Sequence, residues 1–109
     1  MNEQSVNQQQ WWVYFVRTPQ CSLYCGITTD VKRRFNQHVN GTGAKALKGK
    51  APLELVWSYQ VGANKGEALR LEYKLKQLSK TQKERLVACE SPYETLLALK
   101  VLSSPDILK

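Results

Sequence analysis

Five polar side chains stand among apolar neighbours in this sequence: Tyr14, Tyr24, Arg34, His38 and Glu72. On a helix from about Val31 to Val39, at about 100° per residue, Val31, Phe35 and Val39 form the core stripe. Arg34 and His38 fall one turn apart at the edge of that stripe. A guanidinium offers a fixed fork of donors for phosphate oxygens. His38, the one histidine, can hydrogen-bond a reacting group or a tyrosine hydroxyl. The bland alternatives are a snorkelling arginine and a satisfied boundary histidine. On a second helix, Ala68, Leu71, Leu75 and Leu78 make the stripe, Leu69 and Tyr73 make a second patch, and Glu72 lies between the two. A carboxylate there must find a cation or become neutral. Lys76 at i+4 is one partner. A divalent ion such as Mg²⁺, which often takes one or two carboxylates plus waters and substrate phosphate, is another.

Tyr14 and Tyr24 fall on neighbouring strands, where they are either packing or chemistry. A phenol beside a cation can accept a proton from water, although its ordinary pKa of about 10 makes it reluctant. Gly26, two residues beyond Tyr24, shares that face and lets a ligand or another backbone approach closely. Arg33, Lys45, Lys48 and Lys50 could track a phosphate backbone without sequence preference; a solvated loop would carry the same charges.

The elements that must position these groups follow from pattern. Trp11 to Val16 is an aromatic and β-branched run, a strand apolar on both faces. Thr18 to Cys21 is the turn, and Ser22 to Ile27 returns as the second strand of a hairpin. Thr28, Thr29 and Asp30 supply N-caps for the first helix, which Asn40-Gly41 ends. Gly41 to Pro52 is loop. The odd positions from Leu53 to Val61 are all apolar, predicting a third strand with one firmly buried face. Asn64-x-x-Glu67 opens the second helix as a capping box. Ser79 or Thr81 caps a third helix through Val87, and Tyr93 to Leu102 fits a last one. The expected fold is α+β: a small three-stranded antiparallel sheet flanked by helices, in the order β-β-α-β-α-α.

The chain is 109 residues long, which fits one domain at residues 11–90 with a polar tail at 1–10 and an extension at 91–109. Sixteen Lys and Arg against nine Asp and Glu leave a net charge of +7, which favours a polyanionic partner, nucleic acid first and anionic membrane second. No apolar run approaches the ~18–20 residues that span a bilayer, and the N-terminus has no secretory h-region. Three cysteines, an odd number, fit reduced thiols in the cytoplasm. Cys21, Cys25, Cys89 and His38 lack the second close pair that structural zinc requires.

Taken together, these residues resemble the GIY-YIG nuclease superfamily over about Trp11 to Leu86. Trp12-Val13-Tyr14 stands at the first signature triplet and Tyr24-Cys25-Gly26 at the second, with Trp12 in place of a glycine and Cys25 in place of a branched aliphatic. Thr28 to His38 matches the family's helix and Ala68 to Glu72 its glutamate segment. Leu23 to Asp30 is similar to the small stand-alone bacterial YhbQ-like group. The resemblance implies a nuclease that hydrolyses phosphodiester bonds, in DNA sooner than RNA, in repair or recombination. It implies one Mg²⁺ or Mn²⁺ on Glu72, Arg34 offsetting phosphate charge, and Tyr14 or Tyr24, partnered by His38, deprotonating the attacking water. Specificity would be low, structure-directed or borrowed from a protein partner. The alternative is a non-catalytic nucleic-acid-binding module on the same fold. An adaptor docking through Trp11, Trp12 or the C-terminal tail ranks last.

Overall fold

Alternation along the first strand divides the molecule in two. The structure, a computed structural model, describes residues 9–102; the tail through residue 8 and the end of the extension from residue 103 lie outside the described residues. Trp11–Arg17 forms β1, Leu23–Thr28 forms β2 and Glu54–Gly62 forms β3. They make one antiparallel sheet in the order β2-β1-β3, so β1 is central. Every residue from Val13 to Val16 is buried, as expected for a strand with no polar face. Val13 and Phe15 join Cys25, Trp57, Leu71, Leu75, Leu86 and Leu96 in the larger cluster. Tyr14 and Val16 join Leu47 in a smaller one on the opposite face.

Helices cover the sheet: α1 (Val31–Val39), α2 (Lys65–Lys76), α3 (Lys80–Ala88) and α4 (Pro92–Ala98), with a 3-10 turn at Lys45–Leu47. The fold is therefore α+β with a three-stranded sheet, as the pattern predicted. Asp30 caps α1 by accepting from Arg33 N at 3.1 Å. Asn64 caps α2 by accepting from Glu67 N at 3.0 Å, but the reciprocal capping box forms instead at Ser79 and Gln82 of α3. The last helix stops at Ala98, short of the expected Leu102. Lys100 turns to φ 64 there and Val101 N returns to Leu96 O at 2.9 Å, closing the helix end and burying Val101.

The hairpin is tied to α3. Arg17 grips Glu84 with two bonds of 2.6 and 2.9 Å, and Lys80 adds a third at 2.7 Å. Lys80 also donates to the carbonyl of Cys21, at the hairpin turn. Arg17 first and Lys80 second pull the Glu84 carboxyl down to about 2.

Three further expectations need correction. Leu55 is 36% exposed, so β3 has no single buried face. Phe15 pairs with Trp57 but Val16 pairs with Leu55, a bulge that leaves Val56 unpaired and packs it against the larger cluster. The buried face of α1 is also turned from its hydropathy stripe: Val39 is 48% exposed and His38 only 2%. Finally, Leu69 and Tyr73 of α2 are exposed at 46% and 67%, so the second patch is a crest facing water.

Candidate active site

His38 leaves the end of α1 to meet the smaller face of the sheet, where its Nε2 lies 2.8 Å from Tyr14 Oη. On the other side of the ring, the backbone N–H of Ala44 donates to Nδ1 at 3.1 Å. An amide can only donate, so Nδ1 is the unprotonated nitrogen. The hydrogen-bond network thus assigns the ring hydrogen to Nε2, which donates to the Tyr14 oxygen. Burial, and then the Arg34 guanidinium, push the His38 pKa down and keep the imidazole neutral. Because its oxygen accepts from His38, the Tyr14 hydroxyl keeps its own proton for another acceptor. Burial pushes that phenol up to about 12, with Tyr24 adding to the rise and Arg34 opposing it.

Two glycines make this arrangement possible. A Cβ on Gly43 would stand 2.3 Å from His38 Nδ1 and 2.9 Å from the His38 backbone, so only glycine lets the loop lie close enough to present Ala44 N–H. A Cβ on Gly26 would stand 2.6 Å from Tyr14 Oη. Gly26 is buried and pairs across the sheet with Tyr14. The close approach that the sequence left open to a ligand or another backbone at Gly26 is therefore taken by the Tyr14 phenol, and Gly26 offers no surface to nucleic acid.

Tyr24 is the half-buried member of the group. Its ring centroid lies 6.4 Å from that of Tyr14 and 5.5 Å, edge-on, from that of His38. Arg34 donates to Gln37 Oε1 at 2.9 Å, and its charge acts on Tyr14, Tyr24 and His38 alike. Burial raises the Tyr24 pKa; Lys76 and Arg34 lower it and Glu72 raises it. Tyr24, on the outer strand β2, thus feels the guanidinium of α1 and the carboxylate of α2 together.

Glu72 has its side chain only 18% exposed and pairs with Lys76 Nζ at 3.1 Å through one of its two oxygens. Among the described residues no group of three His, Cys, Asp or Glu gathers. A lone hard carboxylate fits an ion that keeps most of its water and takes one protein ligand, as Mg²⁺ does; it does not fit a fully protein-ligated ion. Cys25 lies buried on the larger face with its thiol pushed up to about 12 by burial and by Glu72, so it is no nucleophile.

The basic residues lie on α1 and on the loop that follows it. Leu47 anchors the loop in the smaller cluster, leaving Lys45, Lys48 and Lys50 exposed on it. A cavity of ≈ 270 Å³ beside Tyr24 is lined also by Thr18, Ser22, Leu47 and Lys50, which brings Lys50 to the site's edge. Arg33 is exposed on α1. Trp11 and Trp12 are half-buried, and the Lys65 ammonium lies 5.2 Å from the Trp11 ring centroid. Gly43, Ala44 N–H and Gln37 escaped the sequence reading. Only the i, i+3 spacing of Arg34 and Gln37 offered a signal for any of them.

The family model of the GIY-YIG catalytic domain matches residues 10–85. A UPF0213 protein of Vibrio cholerae is 65% identical over 78 residues, covering 72% of this chain and 77% of that one. The UPF0213 protein YhbQ of Salmonella typhimurium is 53% identical over 88 residues, covering 81% and 87%. A solution NMR structure of a UPF0213 protein from Bacillus halodurans is 41% identical, with a TM-score of 0.48, covering 83% of this chain and 96% of that one.

Proposed function

The chain belongs to the GIY-YIG family, a superfamily of nucleases, and on that premise we propose that it hydrolyses phosphodiester bonds in DNA with the help of a divalent metal ion. The observation that carries this reading is the file of hydrogen bonds from Ala44 N–H through His38 to Tyr14, beside Arg34 and a tyrosine that senses Glu72.

Each residue has a task that its surroundings support. His38, held neutral, donates to Tyr14 Oη and so fixes where the Tyr14 proton can go. Tyr24 is the phenol that solvent reaches; once its own proton has passed to solvent, an ionisation that the Lys76 and Arg34 charges favour, its oxygen orients the attacking water and takes up the proton that water loses. Arg34, held by Gln37, offsets the charge that develops on the phosphate. Glu72 would hold the single Mg²⁺ or Mn²⁺, which when bound supplies Lewis-acid stabilisation of phosphate charge. Lys45, Lys48, Lys50 and Arg33 would track the backbone of the polymer. A role in repair or recombination is the proposed setting. No helix among the described residues is long and apolar enough to cross a membrane.

The Lys76–Glu72 bridge favours a second reading, because a carboxylate neutralised by lysine has less need of a metal. That reading is a non-catalytic nucleic-acid-binding module. Glu72→Gln separates the two. If the chain is a nuclease, Mg²⁺-dependent cleavage drops by roughly 10²–10³-fold while DNA affinity holds or tightens. If the wild-type protein, supplied with Mg²⁺ or Mn²⁺, cuts neither duplex, branched, flapped nor single-stranded substrate, the enzyme reading is lost. An affinity that falls steeply with salt then leaves the binding module standing.

A further inference from the structure

A cleft of ≈ 330 Å³ opens between β3, α2, α4 and the chain that follows α4, on the flank of α2 away from Glu72. Tyr59 and Tyr93 wall it, the buried Leu71 and Val101 form its floor, and Arg70 and Lys74 are exposed at its rim. Glu67, Arg70 and Lys74 recur at helical spacing on one side of α2; Glu72 and Lys76 occupy the other. Among the described residues neither Arg70 nor Lys74 has an ion-pair partner. None of these groups takes part in the arrangement around Tyr14.

We propose that this cleft seats an unpaired nucleobase from a single-stranded flank of the nucleic acid, with its ring against Tyr59 and Tyr93 and its phosphates on Arg70 and Lys74. The proposal rests on the nucleic-acid reading above and specifies the substrate class as duplexes that carry an unpaired strand. Aromatic walls over an apolar floor suit the π-face of any base, and two cations set against the single carboxylate of Glu67 suit phosphate. A paired base cannot enter, because its faces are already stacked on its neighbours. The width of α2 separates the cleft from Glu72, about 10–12 Å for a helix with its side chains. An unpaired strand leaving a cut near Glu72 therefore needs only a few nucleotides to pass around α2 and lay its flank here.

The test measures binding by the full chain in a metal chelator, where cleavage does not intervene. The probes are a labelled blunt hairpin duplex and the same hairpin with a short oligothymidine tail. The tail is expected to tighten binding about tenfold, within the range for stacking one base. Tyr93→Ala should abolish that gain and leave blunt-hairpin affinity unchanged, whereas Tyr93→Phe should retain it. Equal affinity for the two hairpins overturns the proposal, as does a gain that survives both Tyr93→Ala and the double change of Arg70 and Lys74 to alanine. A chain that cuts nothing yet keeps the tail's gain retires the nuclease reading alone; one that cuts DNA but ignores the tail retires the cleft alone.

Discussion

Val13 and Phe15 face one side of the sheet, Tyr14 and Val16 face the other, and the two sides hold together differently. The side of Phe15 is a continuous apolar cluster in which α2, α3 and α4 bury leucines against the strands. Its cohesion is non-directional and scales with area, about 25 cal/mol per Å². The side of Tyr14 buries an imidazole and a phenol and satisfies them with bonds of 2.8 and 3.1 Å. Such bonds contribute only about 0.5–1.5 kcal/mol each, but they fix direction. Stability and orientation are thereby assigned to alternate residues of one strand.

The sharpest way to break the comparison is to truncate a side chain on the apolar face. Phe15 is fully buried and its ring lies 5.0 Å from that of Trp57. Phe15→Ala should cost about 3–5 kcal/mol in urea unfolding, reflecting lost transfer energy and the cavity left behind. A loss under about 1 kcal/mol would mean that this face is not the scaffold.

On the other face the most damaging small change is Gly43→Ala. The added methyl meets the His38 ring and backbone, so the loop must move. The expected loss is about 1–3 kcal/mol, typical of overpacking. Its particular mark is on His38: imidazole ¹⁵N shifts should report that Nδ1 no longer accepts the Ala44 hydrogen bond. An unchanged tautomer pattern would remove Gly43 from the site.

The smallest effect is a pH slope. The folded-state pKa of His38 lies below 6.5, chiefly through burial and then through Arg34. As pH falls through the unfolded value the unfolded chain takes up a proton that the folded chain refuses, so stability is present above it and declines below. His38 is the one histidine, so a decline between roughly pH 7 and pH 5 belongs to it. Urea midpoints for the wild type and His38→Asn should diverge at the upper end of that window and converge at the lower. Parallel curves would show that His38 is not buried neutral.

The sequence made the scaffold plain and the site only partly so. An aromatic and β-branched run with no polar face could only be a central strand, and the α1 boundaries follow from Asp30 and Asn40. Hydropathy misjudged the rotation of α1 because it equates polarity with exposure. His38 is inexpensive to bury once both ring nitrogens are bonded, and one of those partners is a backbone amide that no side-chain pattern reveals. The alternation of β3 failed for a tertiary reason, since the bulge at Val56 arises in its pairing with β1. Gly43 resembles any loop glycine until the loop is seen lying on His38. The cleft at Tyr59 and Tyr93 joins residues from separate elements, so no local motif announces it.

The hydrogen-bonded face has one more consequence, for synthesis. Its parts run from Tyr14 to Leu47, so both phenols, the guanidinium and the imidazole are synthesised ahead of the carboxylate. Glu72 follows later, and Leu96 and Val101, which complete the larger cluster, come last. A nascent chain therefore carries the phenols, the guanidinium and the imidazole before it carries the carboxylate, and it gains that carboxylate before the scaffold beneath it is closed.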